Sequence, residues 1–203
     1  MSDVSQGTGL REHLHMASRF LRNPRTIGAV SPSSAAMARM MVEQIPADRH
    51  VNVVELGPGT GSFTNAIAKR VARGSRVLAI DLEPSFIERV RRRWPSVEAV
   101  CGSAVDLETL LKDRRIAQVD HYISGLPFAT LRKDEITRIL DGIQRSLKPG
   151  GTFTTFQYLH GYALPWGRFF RRDMTRRMGG PPQRTLVLKN FPPSFIFNWT
   201  KRA

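Results

Sequence analysis

The stretch Val53 to Ile67 reads VVELGPGTGSFTNAI, and its order of residue types decides the fold. An apolar run ends in Glu55-Leu56, then come Gly57, Gly59 and Gly61, and then a helical pattern begins. Glycines let the backbone turn sharply and approach a ligand closely, because no Cβ intervenes. The helix opening behind them presents free N–H groups that suit a carboxylate. Dinucleotide-binding loops use a related device with the spacing G-x-G-x-x-G. Here the spacing is G-x-G-x-G, with an acidic residue two positions ahead of it. Glu55, Gly57, Pro58, Gly59, Thr60 and Gly61 are the candidate ligand contacts of this strand–loop–helix unit.

Downstream of the glycines, apolar runs alternate with amphipathic ones. Strands are predicted over 51–56, 76–81, 97–101, 119–124 and 152–158, and helices over 62–73, 84–93, 107–112 and 133–147. Lys148-Pro149-Gly150-Gly151 reads as a turn into the fifth strand. Such alternation implies a parallel sheet covered on both faces. The ending breaks the rhythm: 184–189 and 194–201 read as strands joined by Phe191-Pro192-Pro193. So short a connection makes only an antiparallel pair. The expected fold is α/β, a seven-stranded, mostly parallel sheet whose last strand is reversed, in a single domain over 1–203.

Upstream, residues 10–22 read LREHLHMASRFLR, with Leu10, Leu14, Ala17, Phe20 and Leu21 on one side of a helical period and Arg11, Arg19 and Arg22 among the rest. A basic amphipathic helix is expected, stopped by Asn23-Pro24. Ser31-Pro32 then reads as a cap and first turn of a second helix running to about Ile45.

The chain has 203 residues, with 31 Lys and Arg against 17 Asp and Glu, a formal +14. That balance favours anionic partners, nucleic acid or an acidic membrane surface. The single cysteine, Cys101, excludes an internal disulfide and is expected to be a small buried core residue rather than a nucleophile. No Cys/His cluster has metal-ligand spacing, so no metal is expected. Nor does any apolar run approach the roughly 20 residues that span a bilayer, and the N-terminus lacks the pattern of a signal peptide. The expectation is a cytoplasmic protein that binds membranes only peripherally.

Two further strand ends carry ligand chemistry. Asp81 closes the second strand about 20 residues beyond the glycines, where a carboxylate can accept from both hydroxyls of a ribose, with Leu82 beside it. Gly102-Ser103-Ala104 follows the third strand, and Ser124-Gly125-Leu126-Pro127-Phe128 follows the fourth. With its topology and loop, the chain resembles a class I methyltransferase of Rossmann-like fold. That resemblance implies S-adenosylmethionine as donor and S-adenosylhomocysteine as product, the methionine end over the glycines and the adenine beside Ser103 and Ala104.

Within that class the sequence resembles the bacterial phospholipid N-methyltransferases, which convert phosphatidylethanolamine to phosphatidylcholine. The segments that carry the likeness are Ile27-Gly28-Ala29-Val30-Ser31-Pro32-Ser33-Ser34, Glu55 to Gly61, Gly102-Ser103-Ala104, Ser124-Gly125-Leu126-Pro127, Phe156-Gln157-Tyr158 and Asn190-Phe191-Pro192-Pro193. The family is similar to the rRNA adenine dimethylases, whose Asn/Asp-Leu-Pro-Tyr/Phe motif holds the target amine with its first residue. Here that position is Gly125, which argues against adenine and makes nucleic acid the lesser reading.

The lipid reading names its own candidates. Ser124, Gly125 and Tyr158 stand at the acceptor edge, with His160 just beyond. Phe20, Phe128, Tyr158 and Trp166 are candidate faces for a methylated ammonium, through attraction to the ring quadrupole. Arg11 and Arg19 of the first helix and Trp166, Arg171 and Arg172 of WGRFFRRDMTRRM (166–178) are candidate contacts to an anionic phospholipid surface. The run ERVRRRW at 88–94 is expected to be a solvated helix face.

Overall fold

A computed structural model describes residues 32–188 and 192–203. The expected helix over 10–22, with Arg11, Arg19 and Phe20, lies outside the described residues, as does most of the 27–34 segment.

The order of elements is α1 (Pro32–Met41), β1 (Asn52–Leu56), α2 (Ser62–Arg70), β2 (Arg76–Asp81), α3 (Pro84–Arg93) and β3 (Glu98–Cys101). A short 3-10 turn (Ala104–Asp106) then leads into α4 (Leu107–Asp113) and β4 (Val119–Ser124). The chain continues through α5 (Lys133–Ser146), β5 (Leu147–Tyr158), α6 (Leu159–Tyr162), α7 (Pro165–Met178), β6 (Gln183–Val187) and β7 (Ser194–Thr200). The seven strands form one sheet in the order β3-β2-β1-β4-β5-β7-β6. All neighbours from β3 to β5 pair in parallel, and β7 runs antiparallel to both β5 and β6.

The central strands are apolar almost throughout because both of their faces are covered. Val54, Leu56, Tyr122 and Phe153 point into one core, packed by α4, α5 and α7; Val53, Ala79 and Ile123 point into the other, packed by α1 and α3. The strand order reverses between β1 and β4, which opens a crevice at their carboxyl ends, where ligands bind in sheets of this kind.

Three local expectations change in the structure. Lys148 to Gly151 is not a free turn but part of β5, because Gly150 N donates to Lys201 O (2.8 Å) and Lys201 N to Gly151 O (2.9 Å). Cys101 is exposed, not buried: it ends the edge strand β3, whose two central residues alone face inward. The helix over 166–178 exists as α7, but it does not lie along a surface with its apolar side free. Phe170, Met174 and Met178 are buried in the sheet's core, and Trp199 Nε1 donates to Thr175 Oγ1 at 3.0 Å. Its far turn is locked by charge, with Arg177 donating to Asp173 (2.8 Å) on α7 and to Asp141 (2.5 Å) and Gln144 (2.9 Å) on α5. The basic run on α3 is a solvated face, with Arg91, Arg92 and Arg93 exposed.

Candidate functional site

Three strand ends meet the glycine loop. Gly57 N donates to Ile80 O (2.8 Å), tying the loop to β2. Asp81 Oδ2 accepts from Gly59 N (3.2 Å) and Oδ1 from Glu83 N (3.0 Å), so the carboxylate sits between the loop and the start of α3. Gly61, at φ +88°, caps α2 in the left-handed region. A Cβ there would fall 2.3 Å from the Trp94 ring, so backbone conformation and packing both demand glycine. Around Gly59 the opposite holds: among the described residues a Cβ would meet nothing within 4 Å, so the loop has a side open towards them.

Glu55 is fully buried beneath that loop. Its Oε2 accepts from Thr64 Oγ1 at 2.7 Å, and its Oε1 has no hydrogen-bond partner among the described residues. Burial pushes this carboxyl up to about 8, against the Thr64 hydrogen bond and helped by the nearby Asp81. Burial raises Asp81 as well. A buried acid with a vacant acceptor costs stability unless a cation or donor meets it. The consequence for pH has a definite sign. Below about 4.5 folded and unfolded chains are both protonated at this site; as pH rises towards 8 only the unfolded chain releases the proton, and ligand-free stability falls. Glu55→Gln is therefore expected to stabilise the ligand-free protein at pH 7 by on the order of 3 kcal/mol. The gain should vanish near pH 4, and donor affinity should weaken at the same time. Thermal melts from pH 4 to 8 with calorimetry of S-adenosylhomocysteine check both halves.

After β3, Gly102 N donates to Asp81 O (2.9 Å), and Ser103 Oγ accepts from Val105 N (3.2 Å), capping the 3-10 turn. Ser103, Ala104 and Leu82 thus sit next to Asp81 on the same edge.

At the end of β4 the loops close on each other. Gly125 N donates to Leu56 O (2.8 Å), and a Cβ on Gly125 would fall 2.6 Å from Gly57 O. The glycine is the contact between the two loops; it has no side chain and its N–H is engaged, so it orients nothing through either. Ser124 is fully buried, its Oγ accepting from Leu126 N (3.3 Å) and its carbonyl from Thr155 Oγ1 (3.0 Å). Phe128 is corrected outright: it is 1% exposed and stacks on Phe170, centroids 4.1 Å apart, so it is core and cannot face an acceptor. Large aromatic faces gain more from such burial than from an open wall.

A different aromatic row stands in its place, and sequence reading missed two of its members. Phe63, in the first turn of α2, meets Phe156 edge-on at 5.8 Å, and Phe156 meets Tyr158 at 5.3 Å. All three are partly buried. The signal was available: Phe156 and Tyr158 are two apart on β5 and so share a face, and Phe63 follows the glycine loop directly. Burial raises the Tyr158 phenol, which keeps it neutral and makes it a hydrogen-bonding group rather than a base at neutral pH.

Beyond β5, Trp166 is 43% exposed and Arg172 exposed on α7. Arg171 is partly buried, donating to Gln157 Oε1 (2.5 Å) and Tyr162 O (2.8 Å), its guanidinium 3.8 Å from the Tyr162 ring centroid. The side chain of His160 lies outside what is described. Among the described residues, no group of three or more His, Cys, Asp and Glu could hold a metal ion, and no helix is long and apolar enough to cross a membrane.

The vacant Glu55 oxygen, the open side of Gly59 and the Asp81 carboxylate together fit a ligand with an ammonium at one end and a diol at the other. Comparison with known proteins agrees. The methyltransferase domain family matches residues 53–151. The ornithine lipid N-methyltransferase of Singulisphaera acidiphila is 33% identical over 159 residues, 76% of this chain and 80% of the relative. A probable ribosomal RNA small subunit methyltransferase A of Thermococcus gammatolerans is 28% identical over 120 residues, 58% of this chain and 42% of the relative. The 1,6-didemethyltoxoflavin-N1-methyltransferase of Burkholderia thailandensis, solved with S-adenosylhomocysteine, superposes with a TM-score of 0.66 at 18% identity, covering all of this chain and 92% of its own. The chain belongs to the class I methyltransferases, with S-adenosylmethionine as methyl donor and S-adenosylhomocysteine as product.

Proposed function

We propose that this enzyme methylates the amine of a membrane lipid, phosphatidylethanolamine and its methylated derivatives, towards phosphatidylcholine. The observation that carries the reading is the 33% identity to an ornithine lipid N-methyltransferase over 159 residues, which favours a lipid amine. The +14 charge supports an anionic surface as partner. Work at the inner face of the cell membrane, from the cytoplasm, follows from the same reading.

The bound donor supplies a methyl already activated on a sulfonium, so the chain's task is mainly alignment. Glu55 holds the donor's ammonium end through its vacant oxygen, the backbone from Gly57 to Gly61 with Pro58 and Thr60 cradles the methionine portion, Asp81 with Leu82 takes the ribose, and Ser103 and Ala104 border the adenine. An acceptor ammonium with a lysine-like pKa of about 10.4 is protonated at pH 7, and its proton leaves to water or to the lipid phosphate. Tyr158 then serves as a hydrogen-bonding wall. Phe63, Phe156 and Tyr158 offer aromatic surface to an ammonium that grows more apolar with each methyl, which their ring faces attract.

Adenine in RNA is the weaker reading, since the acceptor-edge position that holds the base amine in adenine dimethylases is a glycine with no room for a side chain. Radiolabelled methyl transfer with phosphatidylethanolamine vesicles, ornithine-lipid vesicles and RNA in parallel tests the choice. Label is expected in phosphatidylethanolamine, and Phe156→Ala should cut it several-fold, with the later methylations most affected. Label in RNA alone sinks the lipid reading; label in ornithine lipid alone keeps it but moves the acceptor.

A further inference from the structure

Among the described residues, the exposed large hydrophobics are Leu159, Leu164, Trp166, Leu186 and Leu188, between 42% and 69% exposed. They do not scatter. β6 is antiparallel to β7 and β7 to β5, so β5 and β6 point the same way, and Tyr158 and Val187 both lie opposite Ser194. The segments leaving β5 and β6 therefore emerge at one edge of the sheet. It is the edge where β1 and β4 end in the glycine loop and Gly125.

Cations cluster at the same place. Arg171 is partly buried against Tyr162, and Arg184 Nη1 donates to Tyr162 Oη (3.1 Å) while lying 5.0 Å from the Phe195 ring centroid. Arg168 is exposed one turn before Arg171. Burial lowers the Arg171 pKa, and Arg168 and Arg184 are close enough to repel its charge and lower it further. No carboxylate among the described residues pairs with any of the three, whereas Arg176 and Arg177 at the other end of α7 bond to Asp173. The same helix is thus neutralised where it packs and left positive where it reaches the acceptor edge.

Large exposed apolar side chains gathered at one edge mark a contact surface, and leucines and a tryptophan with arginines at the same edge suit the zone between acyl chains and phosphates. We propose that this rim is the bilayer-docking face, an assignment that rests on the lipid-amine reading: Leu159, Leu164, Trp166, Leu186 and Leu188 enter the acyl boundary of an anionic membrane while Arg168, Arg171 and Arg184 lie under lipid phosphates. Docked in this way, the enzyme presents its donor cradle to head groups without extracting a lipid. The face differs from the surface that a helix lying flat over 166–178 would use, since that helix spends its apolar side on the core.

The test is cosedimentation of the full chain with phosphatidylglycerol–phosphatidylcholine vesicles. Leu164→Glu with Leu188→Glu should weaken binding about 10-fold or more, and Arg168→Glu with Arg184→Glu should weaken it on these vesicles but not on pure phosphatidylcholine or in high salt. Unchanged S-adenosylhomocysteine affinity certifies that each variant is folded. In the leucine pair, methyl transfer to vesicle lipid should fall far more than transfer to short-chain, monomerically dispersed phosphatidylethanolamine. Wild-type vesicle binding by the leucine pair overturns the proposal, as does loss of binding only on deletion of residues 1–22. Rim-dependent binding with no transfer to lipid in either form upholds the docking face and sinks the lipid-amine acceptor instead.

Discussion

Replacing Asp81 by Ala is expected to weaken S-adenosylhomocysteine binding by about 100-fold or more, with the fold retained. The carboxylate ends β2 in the crevice, and its two oxygens already fix Gly59 N and Glu83 N. Each oxygen keeps a further acceptor site for a ribose hydroxyl. Hydrogen bonds to a charged group contribute about 1.5–3 kcal/mol each, so losing two removes roughly 3–6 kcal/mol, and the freed Gly59 N–H lets the loop drift as well. Asp81→Asn keeps one carbonyl acceptor and should fall between. Calorimetry beside a circular-dichroism melt checks the pair. A folded Asp81→Ala protein with wild-type affinity would refute the placement of the ribose.

The second large effect is at Gly125. Even Ala there puts a Cβ 2.6 Å from Gly57 O, a backbone atom that cannot swing away as a side chain would. The loops after β1 and β4 must part, and overpacking of this kind costs typically 1–3 kcal/mol. The displaced loop is the one proposed to cradle the donor, so Gly125→Ala should lower both the melting temperature and donor affinity, the latter by about 10-fold or more. Gly125→Asn, which installs the residue of the adenine dimethylase motif, should be worse and should bring no transfer to RNA. A Gly125→Asn protein that melts like wild type and methylates RNA would overturn this account of the acceptor edge.

Much of the architecture was legible because it depends on local signals. Five apolar runs with helices between them and a short terminal connection lead to parallel strands and one reversed strand, and α3 begins and ends at the expected residues. The misreadings share one cause. Phe128, Cys101 and the apolar side of α7 each needed knowledge of the neighbours that pairing and packing bring from far along the chain: Phe170 for Phe128, the edge position of β3 in the sheet for Cys101, and β5 and β7 for α7. A period of 3.6 marks an apolar side but not what covers it. The same limit hid the row of Phe63, Phe156 and Tyr158, whose members come from two elements more than 90 residues apart in sequence.

The sequence by itself determined the strand–loop–helix cradle, the acid before it and the acid at the next strand end. These are spacings along one continuous segment, and backbone sterics and strand length translate spacing directly into position. Tertiary structure alone decided that Glu55 has an oxygen unmet by the described residues, that Gly125 is a contact with Gly57 O, and that the exposed leucines of two segments share the sheet edge where β1 and β4 end. Those properties belong to groups brought together by sheet pairing across long separations in the chain, where burial and charge are set by the partner rather than by the residue.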